Sequence, residues 1–356
     1  MNTLDNSFLY NLGYYILLFI IYLSVIREAN RRKVRISKGL IFLILFIIGL
    51  YIGLRPLDVG TDTKNYLRGY ILSQSQFNDN EYNKFGSDPL FNIVRKGLAQ
   101  IVSYRFFLII VEYTILFLIY KSCKLASITD KKSTLLLLLF ILSSSCAYNF
   151  QTNIIRNGIA IAAIFVYSHY IYNKKPINGI IYLIIGIGCH FSVLLPLVIF
   201  LFCRYTNLDI KYYYLFFTIC LLMSFYNIGI HTFIGVGDID FNKANKYLSS
   251  IDGTTYKIGF RPTFAIYNTF FLLLFNYIAK SNSFLIYYLK YYTVSSGIFF
   301  LFFGIPFSDR IGAFSWLAIP YILYIGLHEA SIPRKKLIIN ISFITYLLIS
   351  YLISPK

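Results

Sequence analysis

The sequence predicts an all-α integral membrane protein, a polytopic helical bundle of about 12 transmembrane helices. We expect residues 1–356 to form a single membrane domain. Apolar residues make up 57% of the chain and charged residues 13%, with a mean hydropathy of +0.64. Such values are typical of membrane proteins rather than soluble domains. The chain also contains 33 Tyr and 34 Phe, and aromatic rings, Tyr above all, are common at membrane interfaces.

The predicted spans are apolar runs, and a bilayer core needs about 20 apolar residues per helix. The runs lie at 8–26, 39–54, 105–121, 134–149, 157–173, 177–189, 191–203, 212–233, 262–279, 291–306, 311–327 and 337–353. The sixth and seventh runs are short and meet at His190, which predicts a helix break or tight hairpin. The first run lacks a basic segment before it, so we expect a retained anchor rather than a cleaved signal.

The loop charges predict the orientation. More than half of the Lys and Arg residues fall in alternate loops, beginning with six in 27–38. The positive-inside rule puts these loops in the cytoplasm and both termini outside. The net charge of +18 therefore reflects membrane topology, and we expect no nucleic-acid partner. The polar clusters described next all fall on the outer face.

Two outer loops are long, at about 55–104 and 234–261. In the first, Asp88 followed by Pro89 predicts the N-cap and first turn of an amphipathic helix, which we expect at the outer membrane interface. The second is rich in Gly, Asp, Asn and Lys, as a mobile solvent-facing loop would be. The five cysteines are scattered singly, so neither disulfides nor a zinc site is predicted. The nearest match to an Asp-x-Asp metal motif is 238–240, and we expect neither a metal nor a cofactor.

Three arginines stand at the outer ends of predicted spans: Arg55, Arg156 and Arg310. A guanidinium group stays charged and grips phosphate oxygens with two hydrogen bonds. Three of them at one face would suit a diphosphate group. The alternative for each arginine is an extended side chain that reaches the lipid headgroups.

Three residues are candidates for a general base. His190 comes first, because a neutral imidazole suits proton transfer near pH 7, although it could instead be a hydrogen-bonded structural residue. Asp62 could orient an arginine or bind a sugar hydroxyl, or simply cap the next helix. Glu112, inside a predicted span, needs a partner or neutralisation. His231 is the other outer histidine.

The remaining candidates for substrate binding are polar residues beside the arginines. Gln151 and Asn157 have the amide chemistry that binds sugars, but they could equally satisfy a helix end. Tyr66 ends the polar segment that begins at Arg55, and Asp309 precedes Arg310.

These clusters resemble the EpsG-like branch of the Wzy-type polysaccharide polymerases, over roughly residues 50–315. The matching elements are Arg55 to Tyr66 (family pattern R…vGtDt..Y), Arg156-Asn157-Gly158-Ile159-Ala160 (RQ.lA), His190-Phe191-Ser192 (H.S) and the late outer Asp309-Arg310. The order and the spacing agree. One departure is Asn157, where the family commonly has Gln.

The resemblance implies a GT-C-like, metal-independent glycosyltransferase in the bacterial cytoplasmic (inner) membrane, with its active site facing the periplasm. Its substrate would be undecaprenyl-diphosphate-linked oligosaccharide repeat units. The growing chain would move from its lipid diphosphate to a new lipid-linked unit, as in O-antigen or exopolysaccharide synthesis. A chain-length-regulating partner is implied only by the family.

Other classes stay open. A flippase or transporter of lipid-linked oligosaccharides should carry ionisable residues near the midplane and show repeated halves, whereas here the charges gather at one face. An O-antigen ligase shares the chemistry of arginines and a base and differs in its acceptor. A membrane acyltransferase should show its histidine and arginines early in the chain. A structural scaffold would not need three arginines beside a histidine.

Overall fold

The structure is a computed structural model that describes residues 3–32, 37–75, 88–126, 131–233, 259–279, 282–305 and 308–354, and every regular element in these ranges is helical. The α-helices in chain order are α1 (Thr3–Arg32), α2 (Lys38–Gly53), α3 (Thr63–Ser75), α4 (Pro89–Ala99), α5 (Tyr104–Leu125), α6 (Lys131–Leu142), α7 (Ser145–Thr152), α8 (Ile155–Tyr172), α9 (Ile180–Cys189), α10 (Leu194–Tyr205), α11 (Ile210–Phe225), α12 (Ile230–Phe233), α13 (Pro262–Ile278), α14 (Ser283–Leu301), α15 (Asp309–Trp316), α16 (Ile319–Glu329) and α17 (Lys335–Ile353). Short 3₁₀ turns, Pro176–Gly179 and Phe191–Val193, precede α9 and α10.

Four stretches of described helix are long and apolar enough to cross a membrane: Ser7–Glu28, Tyr104–Leu125, Asp309–Glu329 and Lys335–Ile353. Helices α6 and α7 make a fifth if the pair, bent by 72°, counts as one broken span. The chain is therefore a multi-pass membrane protein with four to five candidate spans. The predicted number of about 12 is not shown. Five other apolar helices have only 10–17 residues, less than a bilayer core requires at 1.5 Å per residue, and α8 and α14 are not among the candidate spans.

The described chain divides into two compact units, one formed by Met1–Val198 with Leu327–Lys356 and the other by Ile199–Gly326. In the first unit α8 is central. It packs against α5 and α9, and nearly all its side chains are buried, as expected of a helix that is apolar on every side. Helix α2 packs against α5, and α1 packs against α6 and α17. A single domain remains a prediction.

In the second unit α14 packs against α11, α13 and α15. A buried polar network joins α13 to α14 near the middle of both helices. The carboxamide oxygen of Asn268 accepts hydrogen bonds from the Tyr292 hydroxyl, at 3.3 Å, and the Ser296 hydroxyl, at 3.0 Å. Interhelical hydrogen bonds of this kind are typical of membrane helices.

Two local predictions are confirmed. A helix follows Asp88, as α4, and the chain breaks at His190 between α9 and the next 3₁₀ turn. Asp88 stands at the N-cap position of α4, but its side chain makes no capping hydrogen bond. Its carboxylate is engaged elsewhere. Most of the second long outer loop, 234–258, lies outside the described residues.

Candidate functional site

The site is built on the break between α7 and α8 in the first unit. Both backbone amides of the break, at 153–154, donate to the carbonyl oxygen of Asn149, at 2.9 and 3.1 Å. Gly158 allows α8 to fold back closely on α7, since a Cβ at this position would collide with the carbonyl oxygen of Phe150. The break places Arg156 in the first turn of α8.

The polar segment before α3 docks on this break. Gly60 has φ +85°, and a Cβ there would lie 2.5 Å from the carbonyl oxygen of Thr152. The carboxamide oxygen of Asn153 accepts a hydrogen bond from the Asp62 amide, at 2.9 Å, and one from the Thr61 hydroxyl, at 2.8 Å. The Gly-Thr-Asp sequence is thus held against the end of α7, next to the start of α8.

Asp88 joins two of the predicted site residues. Its Oδ1 atom accepts a hydrogen bond from His190 Nδ1 at 2.8 Å, and its Oδ2 atom accepts one from Arg156 Nη1. The carboxylate is fully buried, whereas the side chains of Arg156 and His190 are 27% and 29% exposed. A hidden carboxylate therefore aligns two accessible groups. We call these three residues the Asp88 cluster.

The Asp88 contact fixes the tautomer of His190. A carboxylate can only accept hydrogen bonds, so Nδ1 of the imidazole carries the hydrogen. In the neutral ring Nε2 then has a free lone pair and can accept a proton. His190 itself has extended backbone (φ −166°, ψ 122°) between α9 and the 3₁₀ turn.

Tyr66 and Asp62 lie on the Arg156 side of the Asp88 cluster. The guanidinium carbon of Arg156 is 5.8 Å from the centroid of the Tyr66 ring, and Asp62 interacts electrostatically with Arg156. Burial raises the pKa of Tyr66, and the nearby Arg156 charge offsets part of the rise. The phenol thus stays protonated at neutral pH and can donate a hydrogen bond.

Asn157 lies on the His190 side. Its carboxamide oxygen accepts a hydrogen bond of 3.3 Å from the hydroxyl of Ser192, and its side chain is almost completely buried. The structure thus brings together five of the predicted residues around Asp88: His190, Arg156, Tyr66, Asp62 and Asn157.

Arg55, Glu112 and Gln151 lie in a different place, buried in the interior of the first unit, at 2%, 1% and 0% exposure. Arg55 interacts electrostatically with Glu112. Gln151 donates from Nε2 to the carbonyl oxygen of Ala147, at 3.0 Å, within its own helix.

Asp309 and Arg310 belong to the second unit, where they form the first turn of α15, with Arg310 exposed. The side chain of His231 and the Asp-x-Asp sequence at 238–240 lie outside the described residues. The expected absence of a metal therefore remains a prediction.

The sequence interpretation missed Asp88 as a site residue, because a carboxylate before a proline is a common helix start. A signal was available. Asp62 was considered as a partner for an arginine, but His190 had no assigned carboxylate partner. Asp88 is an acidic residue of the longest predicted outer loop. The role of Asn153 in docking the Asp62 segment was also missed.

The comparison with protein families gives one finding. The EpsG family model matches residues 38–355, a range that contains every candidate residue of the site. No curated protein and no solved structure matches the chain. The match spans most of the chain, including both compact units, so the chain belongs to the EpsG family, a family linked to exopolysaccharide biosynthesis.

Proposed function

We propose that the protein is a polysaccharide polymerase that joins undecaprenyl-diphosphate-linked oligosaccharide repeat units. The observation that carries the proposal is the Asp88 cluster, in which one buried carboxylate holds a histidine and an arginine side by side. Transfer of a sugar from a lipid diphosphate needs a base for the acceptor and positive charge for the leaving group. The cluster offers both.

His190 is the proposed general base. Its Nε2 atom takes the proton of the acceptor hydroxyl as the oxygen attacks the anomeric carbon of the donor sugar. The bond between that carbon and the diphosphate oxygen breaks, and the lipid diphosphate leaves with the electron pair. Asp88 positions the ring and stabilises the positive charge that the ring gains. Asp62 is the second candidate base.

Arg156 is the proposed ligand of the diphosphate. Its exposed edge can donate to phosphate oxygens while Nη1 is held by Asp88, and fixed donors of this kind stabilise charge that develops in the transition state. We propose Arg310 and Asp309 as a second contribution to diphosphate binding.

Tyr66 and Asn157 are the proposed ligands of the sugars, through hydroxyl and amide groups that flank the Asp88 cluster. Arg55 and Glu112 interact with each other, and Gln151 bonds within its own helix, so the proposed transfer does not include these three as substrate contacts.

The proposed location is the outer face of the bacterial cytoplasmic membrane, because the basic loops favour a cytoplasmic position. The proposal extends the four to five candidate spans to about 12, in a GT-C-like bundle. It counts α6 with α7 as one span and includes the five shorter apolar helices together with α8 and α14. The lipid part of the substrate would then remain in the bilayer while its diphosphate reaches the site. Chain length would be set with a regulatory partner.

The direct test uses purified protein and lipid-linked repeat units, with products separated by chain length. Wild-type protein should make long chains, while His190→Ala and Arg156→Ala should leave single units. Arg68→Ala, which removes an exposed arginine of α3, is the matched control and should polymerise normally. Long chains from both site variants at the wild-type rate would contradict the assigned roles.

The same assay separates the other classes. A flippase or transporter makes no new glycosidic bond, so single units would be the only species with wild-type protein. A ligase would use the lipid-linked unit as donor but would need a different acceptor, such as a lipid A core. Failure of the wild type to join two units, together with transfer to that acceptor, would favour the ligase.

A further inference from the structure

Arg55 and Glu112 are two buried charged residues that the Asp88 cluster does not use. Arg55 follows the last turn of α2, and Glu112 lies within α5, the helix against which α2 packs. They are 2% and 1% exposed. An ionisable group buried this deeply destabilises the fold unless another group compensates its charge. The surroundings of Arg55 and Glu112 therefore indicate their role.

Their hydrogen bonding is incomplete within the described residues. Arg55 donates from Nη1 to the carbonyl oxygen of Ile52, at 3.2 Å, but its Nε and Nη2 atoms have no hydrogen-bond partner there. The same holds for both carboxylate oxygens of Glu112. Arg55 is the charged residue that acts electrostatically on Glu112. The two helices are in close contact beside them, because a Cβ on Gly53 would lie 2.8 Å from Ile109, one turn before Glu112. Each residue is therefore positioned to compensate the other.

The environment of Arg55 is unsuitable for a diphosphate. The side chain is closed off from solvent, and the carboxylate of Glu112 would repel a second anion. A substrate phosphate could reach the unbonded donors of Arg55 only if the closed interior around them opened.

The pair is connected to the site through Tyr104. Tyr104 interacts electrostatically with both Arg55 and Tyr66, and its hydroxyl donates to the carbonyl oxygen of Thr63, at 2.9 Å. Thr63 is the first residue of α3, which carries Tyr66 beside Arg156. Arg55 also begins the segment that docks Asp62 on the α7–α8 break. A shift of Arg55 would therefore move this side of the site.

We propose that Arg55 and Glu112 are a buried charge pair that positions the segment 56–66, and that both act on the reaction through this segment rather than on the substrate. The inference depends on the proposed function for its kinetic part alone. Both are positioning residues. The pair explains why an arginine and a distant glutamate occur in apolar surroundings, and it removes Arg55 from the diphosphate ligands.

A double-mutant cycle tests the pair in the full-length purified protein. Arg55→Met and Glu112→Met each leave one buried charge alone, and each should lower the melting temperature by about 10 °C. The double variant R55M/E112M leaves no charge and should return to within about 3 °C of the wild type. The exposed pair Asp209 and Lys211, 3.8 Å apart, is the control, and its D209M, K211M and double variants should show no coupling.

Kinetics with the lipid-linked donor then separate positioning from substrate binding. The single variants should lose at least about tenfold in kcat, and R55M/E112M should recover most of it with an unchanged KM. A double variant that is stable but has a strongly raised KM would make Arg55 a substrate ligand and overturn the inference. A double variant as unstable as the singles would exclude the pair. The melting temperatures need no activity, so they test the pair even if the proposed polymerase reaction is not observed.

Discussion

At the scale of single residues, the most informative feature is that Asp88 is shared between two partners. Both of its oxygens are used, one for His190 and one for Arg156, and none of its surface is exposed. A carboxylate in that position cannot meet a substrate. Its effect on the chemistry must pass through the orientation of its two partners.

Asp88→Asn should lower kcat by about 10²-fold or more with little change in the donor KM. The amide group replaces one acceptor by a donor, which then faces an N–H group of either His190 or Arg156. Single-turnover rates measure the effect, and Asp209→Asn, an exposed residue of a predicted inner loop, is the control. An unchanged rate would mean that the Asp88 contacts are structural.

Arg156→Lys should be almost as inactive as Arg156→Ala, with a loss of roughly 10²-fold or more in kcat. Lysine keeps the charge but cannot hold Asp88 and a phosphate oxygen at once through a planar fork. Arg68→Lys is the matched control. Full activity of the lysine variant would show that charge alone is sufficient at this position.

At the scale of elements, the site depends on two interruptions of helix, at 153–154 and at His190. At each interruption, backbone groups leave the helical hydrogen-bond pattern. Arg156 follows the first interruption and His190 lies at the second, and both side chains bond to Asp88. The segment before α3 closes the arrangement by docking on the first interruption through Gly60.

Gly60→Ala should lower the free energy of unfolding by about 1–3 kcal/mol and reduce activity. The residue has φ +85° and no room for a Cβ beside the Thr152 carbonyl. Gly97→Ala in α4 is the control, because nothing lies within 4 Å of its Cβ position and alanine favours a helix. Thermal unfolding in detergent measures both. Equal stability of the two variants would contradict the docking of this segment.

The elements were predictable where the signal is local. Apolar runs located the helices, and Pro89 marked the start of α4, because both depend on neighbouring residues. The 72° bend between α6 and α7 falls at Ser143 and Ser144, a serine signal for a helix start that the interpretation of 134–149 as one run missed. The Asp88 contacts join residues 68 and 102 positions apart, so they depend on the packing of α4, α8 and α9. Burial of Arg55 with Glu112 likewise follows from packing of α2 on α5.

At the scale of the whole molecule, the distribution of charge predicts the membrane orientation. The basic loops alternate with the loops that carry Arg55, Asp62, Arg156 and His190. The proposed function requires all of the latter to face outward, because lipid-linked repeat units are joined on that side.

Cysteine labelling tests this orientation. Arg68→Cys should react with a membrane-impermeant maleimide in intact cells stripped of their outer layers, and Lys211→Cys only after permeabilisation, since both positions are exposed but on opposite predicted sides. The five native cysteines are buried, so the background should be low. The reverse labelling pattern would move the Asp88 cluster to the cytoplasmic face and exclude the proposed location.

The shared carboxylate also sets the timing of charge in the proposed transfer. With a neutral imidazole, the negative Asp88 and the positive Arg156 cancel, and the trio is electroneutral at rest. Once His190 has become an imidazolium ion, the same three side chains carry one net positive charge. That positive charge arises in the same step in which the departing lipid diphosphate gains its own negative charge. At rest the three side chains carry no net positive charge, so they do not hold the released lipid diphosphate in the site.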